Sequence, residues 1–305
     1  MTAVNLYITN TTDAQMLAEL RNLNATMNEA QRELASGKKV QVASDDPADV
    51  QAIVQNQSDL ARVQQSQTNL KTLNSEVGMA STVLENAAKL MDSARSIAAQ
   101  GASSTTDTAT RQLLASQIQD IESQMVGIAN STNAGRYLFG GDADTTAPYS
   151  IDFTNTPPFT ANTTAQATRL GMDSMGNTFP IAKTATEIFD NSTASNNILQ
   201  SLEDLRQGLL NNDETAITAA NSSLASSASY LGTVQAFYGT AQSTITSALD
   251  VASKSQLSLQ TEQSTLTDAD LAEAITAEQS AQAQQQAVLA MRAKMPRGSL
   301  FDMLG

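Results

Sequence analysis

Asp45, Asp46 and Asp49 crowd three carboxylates into the stretch VASDDPAD. Paired carboxylates are what acid–base cleavage of a glycosidic bond requires. The same residues also stand at the expected start of a helix, where acidic side chains offset the dipole. Ser44 or Asp45 would cap that helix, and Pro47 would sit in its first turn, where a missing N–H costs little. A structural turn at Ser44, Asp45, Asp46 and Pro47 is therefore expected rather than a catalytic pair. Asp142 and Asp144 have the DxD spacing that opens a calcium loop, but its sixth and twelfth positions would be Ala147 and Phe153, where Gly and Glu are needed. The stretch NAGRYLFGG invites comparison with a phosphate loop and lacks the lysine and hydroxyl of GxxxxGK[ST]. Gly135, Arg136, Tyr137, Phe139, Gly140 and Gly141 are expected instead to form a structural turn or hinge pinned by buried aromatics.

The 305 residues contain no cysteine and no histidine, which removes disulfides, thiolate nucleophiles, imidazole bases and the usual zinc ligands together. Serine and threonine are abundant, but no nucleophile stands out without a base beside it. No enzyme activity, cofactor or metal is expected. A net charge of -14 leaves no basic stripe to follow a phosphate backbone, so nucleic acid is not an expected partner, and anionic membrane surfaces are disfavoured for the same reason. No apolar run approaches the roughly 18 residues of a spanning helix, so membrane insertion is not expected. The opening MTAVNLYITNTTDAQ lacks the basic head and apolar stretch of a cleaved secretory signal. A cytoplasmic protein, or one exported without such a signal, is expected.

The elements that hold these residues are helical. Aromatics make up only 4% of the chain against 41% hydrophobic residues, which suits thin helical seams better than a thick globular core. Met16, Leu20, Leu23, Met27, Ala30 and Leu34 make one narrow stripe over residues 13–35, with Gly37 as a stop. Val63, Leu70, Val77, Leu84, Met91 and Ala98 then recur every seven residues, with Leu73, Ala80, Ala87 and Ala94 three places on. A third helix is expected through Leu114, Ile118, Ile121, Met125 and Ile128, ending at the glycine-flanked aromatics. In the carboxy-terminal half a short helix around Ile198, Leu202, Leu205 and Leu209 precedes a second heptad series through Ile217, Leu224, Leu231, Tyr238, Ile245, Ala252, Leu259 and Leu266. Thr267 with Asp270 has the form of a capping box opening a last helix through Leu271, Ile275, Val288 and Met291. Residues 142–190 hold four of the six prolines, Pro148, Pro157, Pro158 and Pro180, and read as turns and short strands.

The expected fold is mainly α, a long antiparallel helical hairpin or coiled-coil rod formed by both chain halves, with a small β-rich domain inserted at its tip. Three regions follow: terminal helices at 1–40 with 267–305, a helical rod at 41–141 with 191–266, and a β-rich outer domain at 142–190. The two central series can bury one another. The terminal stripes have only each other, so an intersubunit interface is expected at Leu6, Met16, Leu20, Leu23, Met27 and Leu34, and at Leu271, Ile275, Val288, Met291, Leu300 and Leu304.

The stretch ELASGKKVQVASDDPAD resembles the bacterial flagellins and their axial relatives, as does TDADLAEAIT with the Gln-rich helix after it. The resemblance covers roughly residues 1–140 and 191–305. Within the family, NAGRYLFGG and the ending SLFDMLG are similar to the members that form the junction between hook and filament. The resemblance implies a structural subunit on which flagellin polymerises, exported unfolded through the growing flagellum to an extracellular position. It also implies, as partners, further copies of the chain, the adjoining hook-associated protein, flagellin and a cytoplasmic export chaperone. Terminal segments disordered in the monomer, folding on assembly, are expected with it. A filament flagellin is the nearest alternative and a cytoplasmic signalling coiled coil a distant one; a carboxylate enzyme centred on Asp45 or Asp46 is more distant still.

Overall fold

The computed structural model describes residues 2–191 and 196–294, with side chains over 14–191 and 196–293. Leu6 lies in a helix but outside the described side chains, and Leu300 and Leu304 lie outside the described residues. Seven α-helices occur among the described residues: α1 (Thr2–Ser36), α2 (Val50–Gly101), α3 (Thr108–Ala129), α4 (Ala185–Phe189), α5 (Ile198–Leu210), α6 (Glu214–Thr267) and α7 (Leu271–Lys294). The strands are β1 (Thr132–Asn133), β2 (Arg136–Tyr137), β3 (Tyr149–Ile151), β4 (Phe159–Ala161), β5 (Leu170–Met172) and β6 (Thr178–Pro180). The chain is mainly α with a small β region, as the periodicities imply.

Two compact units divide the chain: unit 1 holds Met1–Ala61 and Leu257–Gly305, unit 2 holds Arg62–Gln256. Both heptad helices contribute residues to both units.

In unit 2 the seven-residue series supply the core. Leu70, Leu84 and Met91 of α2 are fully buried, as are Leu224 and Ile245 of α6. The two helices run antiparallel: Gln235 Nε2 donates to the Leu84 carbonyl at 3.1 Å, while Gly78 lies beside Gln242 and Gly101 beside Ile217. The stripes of α3 and α5 join the same core through Ile118, Met125, Leu202 and Leu205. Side-chain acceptors mark the starts of these helices. Asp107 accepts from Thr110 N at 2.7 Å, Asn197 from Gln200 N at 2.9 Å, and Asp213 from Thr215 N and Ala216 N at 2.9 and 3.0 Å, each satisfying an orphan N–H.

Residues 132–180 form three separate antiparallel hairpins, β1–β2, β3–β4 and β5–β6. An isolated two-stranded hairpin is marginal in water. β3–β4 is held because Tyr149 and Phe159 share the buried core of the unit 2 helices, and β5–β6 because Phe179 packs against that core with Ile181 buried just beyond it. Residues 142–190 thus belong to one compact unit with the helices around them.

Three boundaries differ from the sequence-based expectation. α3 stops at Ala129, short of the aromatics, because Asn130 turns away to fix β3: its Nδ2 donates to the Tyr149 carbonyl at 2.8 Å and its Oδ1 accepts from Tyr149 N at 2.9 Å. Neither Ser44 nor Asp45 caps α2. Asp46 Oδ1 accepts from Asp49 N at 3.4 Å over the turn that Pro47 begins, and α2 starts only at Val50. Thr267 ends α6 rather than opening α7, which is capped by Asp270 alone, accepting from Ala272 N at 2.9 Å and Glu273 N at 3.2 Å.

Candidate functional site

The expected terminal pair exists within unit 1. α1 and α7 lie antiparallel, with Gln31 Nε2 donating to Glu278 Oε1 at 3.1 Å and Gln285 Nε2 to Asn24 Oδ1 at 2.9 Å. Their seam is thin. Leu23 and Ala30 of α1 and Ala274 and Ala281 of α7 are buried, and Met16, Leu20, Met27, Leu34 and Val288 are half-buried. Small side chains at Ala274 and Ala281 allow the helices to approach closely. The larger residues of α7 do not enter that seam: Leu271, Ile275 and Met291 are 48%, 45% and 58% exposed, with Leu289 at 50% and Leu17 of α1 at 42%. Leu271, Ile275 and Leu289 fall within about a ninth of a turn of one another on an ideal helix, so they make one flank beside the alanine row. Between Ile275 and Leu289 the same flank carries Glu278, Gln282 and Gln286, so the exposed apolar side chains lie near the two ends of α7 rather than in a continuous row.

A clasp fixes the pair at its loop end. Lys38 and Asp268 form an antiparallel bridge, with Lys39 N donating to the Thr267 carbonyl at 2.8 Å and Ala269 N to the Gly37 carbonyl at 3.0 Å. Gly37 can make this turn because it sits at φ +70°, in the left-handed region. The carboxylate of Asp45 folds back onto the loop, accepting from Gln41 N and Val42 N at 3.0 Å each. Those hydrogen bonds, with Arg32 at 4.0 Å, hold its pKa below the ordinary carboxylate value. Asp46 pairs with Lys39 at 3.4 Å, while Ser44 and Pro47 are exposed. The three aspartates are thus engaged in loop geometry: two backbone acceptors and one helix start.

The NAGRYLFGG stretch divides its work within unit 2. Ala134 and Gly135, at φ 51° and 80°, make the two-residue turn of the β1–β2 hairpin. Arg136 pairs with Asp144, and Tyr137 N donates to the Asp144 carbonyl at 2.8 Å. Phe139 is fully buried, edge-on to Phe189 at 5.8 Å and to Tyr238 at 6.3 Å between ring centroids. Its carbonyl accepts from Ala185 N at 2.8 Å. One ring thereby joins the hairpin, α4 and α6. Gly140 and Gly141 are buried beneath it, and at Gly141, with φ +56°, a side chain would run into the Gln166 carbonyl. Asp142 is occupied as well, accepting from Gln166 N at 2.8 Å. The Asp142–Asp144 pair therefore serves backbone and arginine.

Two polar clusters escaped the sequence reading. Arg111, 3% exposed, donates from Nε to the Gly101 carbonyl at 2.9 Å and from Nη2 to the Ser103 carbonyl and Glu214 Oε1 at 3.1 and 2.8 Å. Its Nη1 donates to Asn212 Oδ1 at 2.5 Å. One guanidinium thus ties the end of α2 to the start of α6. Glu122 of α3 meets Arg206 and Glu203 of α5 in the interior. The signal was present: Arg111 and Glu122 stand three or four residues from Leu114, Ile118 and Met125, on the apolar stripe itself, and Arg206 stands likewise between Leu202 and Leu209. A charge on a buried stripe marks a polar network.

Known proteins resemble this chain in sequence over part of its length and in fold over more of it. Residues 8–144 match the model of the bacterial flagellin N-terminal helical region. Over 140 residues the chain is 31% identical to flagellar hook-associated protein 3 of Escherichia coli (strain K12), covering 45% of this chain and 43% of that protein. Over 139 residues it is 30% identical to flagellar hook-associated protein 3 of Salmonella typhimurium, covering 44% and 43%. The matched stretch spans less than half the length of either relative. Among solved structures, Bacillus cereus FlgL superposes with a TM-score of 0.56 at 16% identity, covering 70% of this chain and 100% of that one. The flagellar junction protein FlgL of Legionella pneumophila does so with a TM-score of 0.54 at 14% identity, covering 69% and 100%. At such identities the likeness is one of fold.

Proposed function

We infer, from a chain whose residues 8–144 carry the N-terminal helical region of bacterial flagellins, that this protein is a structural subunit of the flagellum forming the junction between hook and filament. The observation that carries this reading is the identity with two proteins named flagellar hook-associated protein 3. The exposed Leu271, Ile275 and Leu289 of α7 support it, because a helix pair with a thin seam that leaves large apolar side chains outside it has surface to give to neighbours.

In this role the terminal helices build the inner contacts of a ring or helical layer of identical subunits. The proposed interface draws on the exposed Leu271, Ile275 and Met291 of α7 and the half-buried Met16, Leu20, Met27, Leu34 and Val288, with Leu6, Leu300 and Leu304 proposed to join it from outside the described side chains. Leu23, expected at this interface, is instead buried within the α1–α7 seam. The adjoining hook-associated protein lies on one side and flagellin on the other. Before export a cytoplasmic chaperone guards the termini, and the chain leaves the cell unfolded without a cleaved signal. Ordering the termini costs conformational entropy, which burial against neighbouring subunits offsets only at the growing tip. Neither nucleic acid nor membrane insertion enters this role; among the described residues no helix is long and apolar enough to cross a membrane. The function is mechanical, with no catalytic residue and no cofactor.

The test is electron microscopy of cells lacking the gene, with flagellin assayed in the medium. Hooks without filaments, and flagellin released into the medium, are the expected result. Normal or merely shortened filaments would make the chain one filament flagellin among several.

A further inference from the structure

Three ionisable side chains meet inside unit 2: Glu122 of α3, and Glu203 and Arg206 of α5, exposed by only 1%, 1% and 7%. Arg206 is committed to Glu203 through a fork, Nε donating to Oε2 at 2.7 Å and Nη2 to Oε1 at 2.9 Å. Gln207 Nε2 adds a third hydrogen bond to Glu203 at 2.8 Å, and the Phe153 ring lies 5.7 Å from the guanidinium carbon. Glu122 is left over. Arg206 Nε stands 3.4 Å from its Oε2, but the one hydrogen on that nitrogen is already given to Glu203. Neither carboxylate oxygen of Glu122 has a hydrogen-bond partner.

With every group ionised, the cluster would bury two negative charges against one positive. A buried carboxylate that shares one guanidinium with a second carboxylate and receives no hydrogen bond is costly to keep ionised, and taking up a proton removes that cost. A proton on Glu122 also creates the missing donor, and Glu203 is within reach to accept it. We propose that Glu122 is held as a neutral carboxylic acid donating to Glu203, and that this proton latches α3 to α5 and is released in alkaline medium.

Burial first, and the neighbouring Glu203 charge second, push Glu122 up to about 8, with Arg206 acting in the opposite direction. Glu203 and Arg206, both from α5, are the charged groups acting on it. The sign follows from linkage. A carboxyl raised from 4.5 in the unfolded chain to about 8 in the folded one binds one more proton when folded across that window. Its stabilising contribution is complete below the lower value, falls as pH rises, and is gone above the upper. The unfolding equilibrium constant then rises by up to about tenfold per pH unit between those values.

The experiment is denaturant unfolding of the purified full chain from mildly acidic to mildly alkaline pH, wild type beside Glu122→Gln. The amide reproduces the neutral donor and cannot ionise. The expected result is a wild-type curve that falls with pH relative to the variant and crosses below it on the alkaline side; parallel curves would overturn the latch. Infrared spectroscopy of the folded wild type provides a readout independent of the variant's folding. A buried carboxylic-acid carbonyl band at neutral pH, lost as pH passes about 8, is expected. A spectrum with carboxylates alone at neutral pH would refute it.

Discussion

The α3–α5 pair of unit 2 and the α1–α7 pair of unit 1 are built from the same kind of amphipathic helix but are covered very differently. In α3 and α5 the stripe residues Ile118, Met125, Ile198, Leu202, Leu205 and Leu209 are fully buried. Among the described side chains of α1 and α7, only Leu23, Ala30, Ala274 and Ala281 fall below a tenth exposed, and the largest apolar side chains of α7 remain in solvent. Full burial of a Leu or Ile side chain is worth about 1.5–3 kcal/mol. One pair is therefore covered by contacts within the chain, while the other leaves large apolar side chains in solvent.

The strongest way to break that contrast is to damage unit 2. Phe139→Ala removes the ring that joins the hairpin, α4 and α6, and should destabilise the free chain by about 3–5 kcal/mol, read from the midpoint of urea unfolding. Arg111→Met leaves the Gly101 and Ser103 carbonyls without their donor and should cost about 2–3 kcal/mol in the same measurement. Ala281→Leu addresses the other pair. It overfills the narrow seam, with a local cost of about 1–3 kcal/mol, seen as faster amide exchange in α7 while the unfolding midpoint of unit 2 stays unchanged. Ile275→Ser should be the mildest in the free chain, within about 0.5 kcal/mol of wild type. It sharpens the comparison most, because cells carrying it should still shed flagellin for want of a junction.

Much of this was legible in the sequence because a long heptad series has one dominant solution. Leu70, Leu84, Met91, Leu224 and Ile245 were placed in a core by spacing alone, and all are fully buried. The hairpins of 142–190 announced themselves by proline and aromatic residues against a helical background. What escaped was set by competition among similar signals. Ser44, Asp45, Asp46 and Thr267 all have side chains able to cap a helix, yet Asp45 and Asp46 accept from N–H groups of the loop, Thr267 ends α6, and Asp270 caps α7. On α7 the large residues draw attention to themselves. Close approach to α1 instead runs through Ala274 and Ala281, whose small size is invisible to a reading that weighs hydrophobicity. Arg111, Glu122 and Arg206 broke their stripes with charge, a conflict that local pattern registers but cannot resolve without knowing the partner helix.

Amide hydrogen exchange on the purified monomer tests the contrast between the two pairs most directly. The expected result is strong protection in α3 and α5 and weak protection in α1 and α7, the latter rising when the chain is assembled. Equal protection of both pairs in the free monomer would contradict it, since the terminal helices would then need no neighbours to complete them.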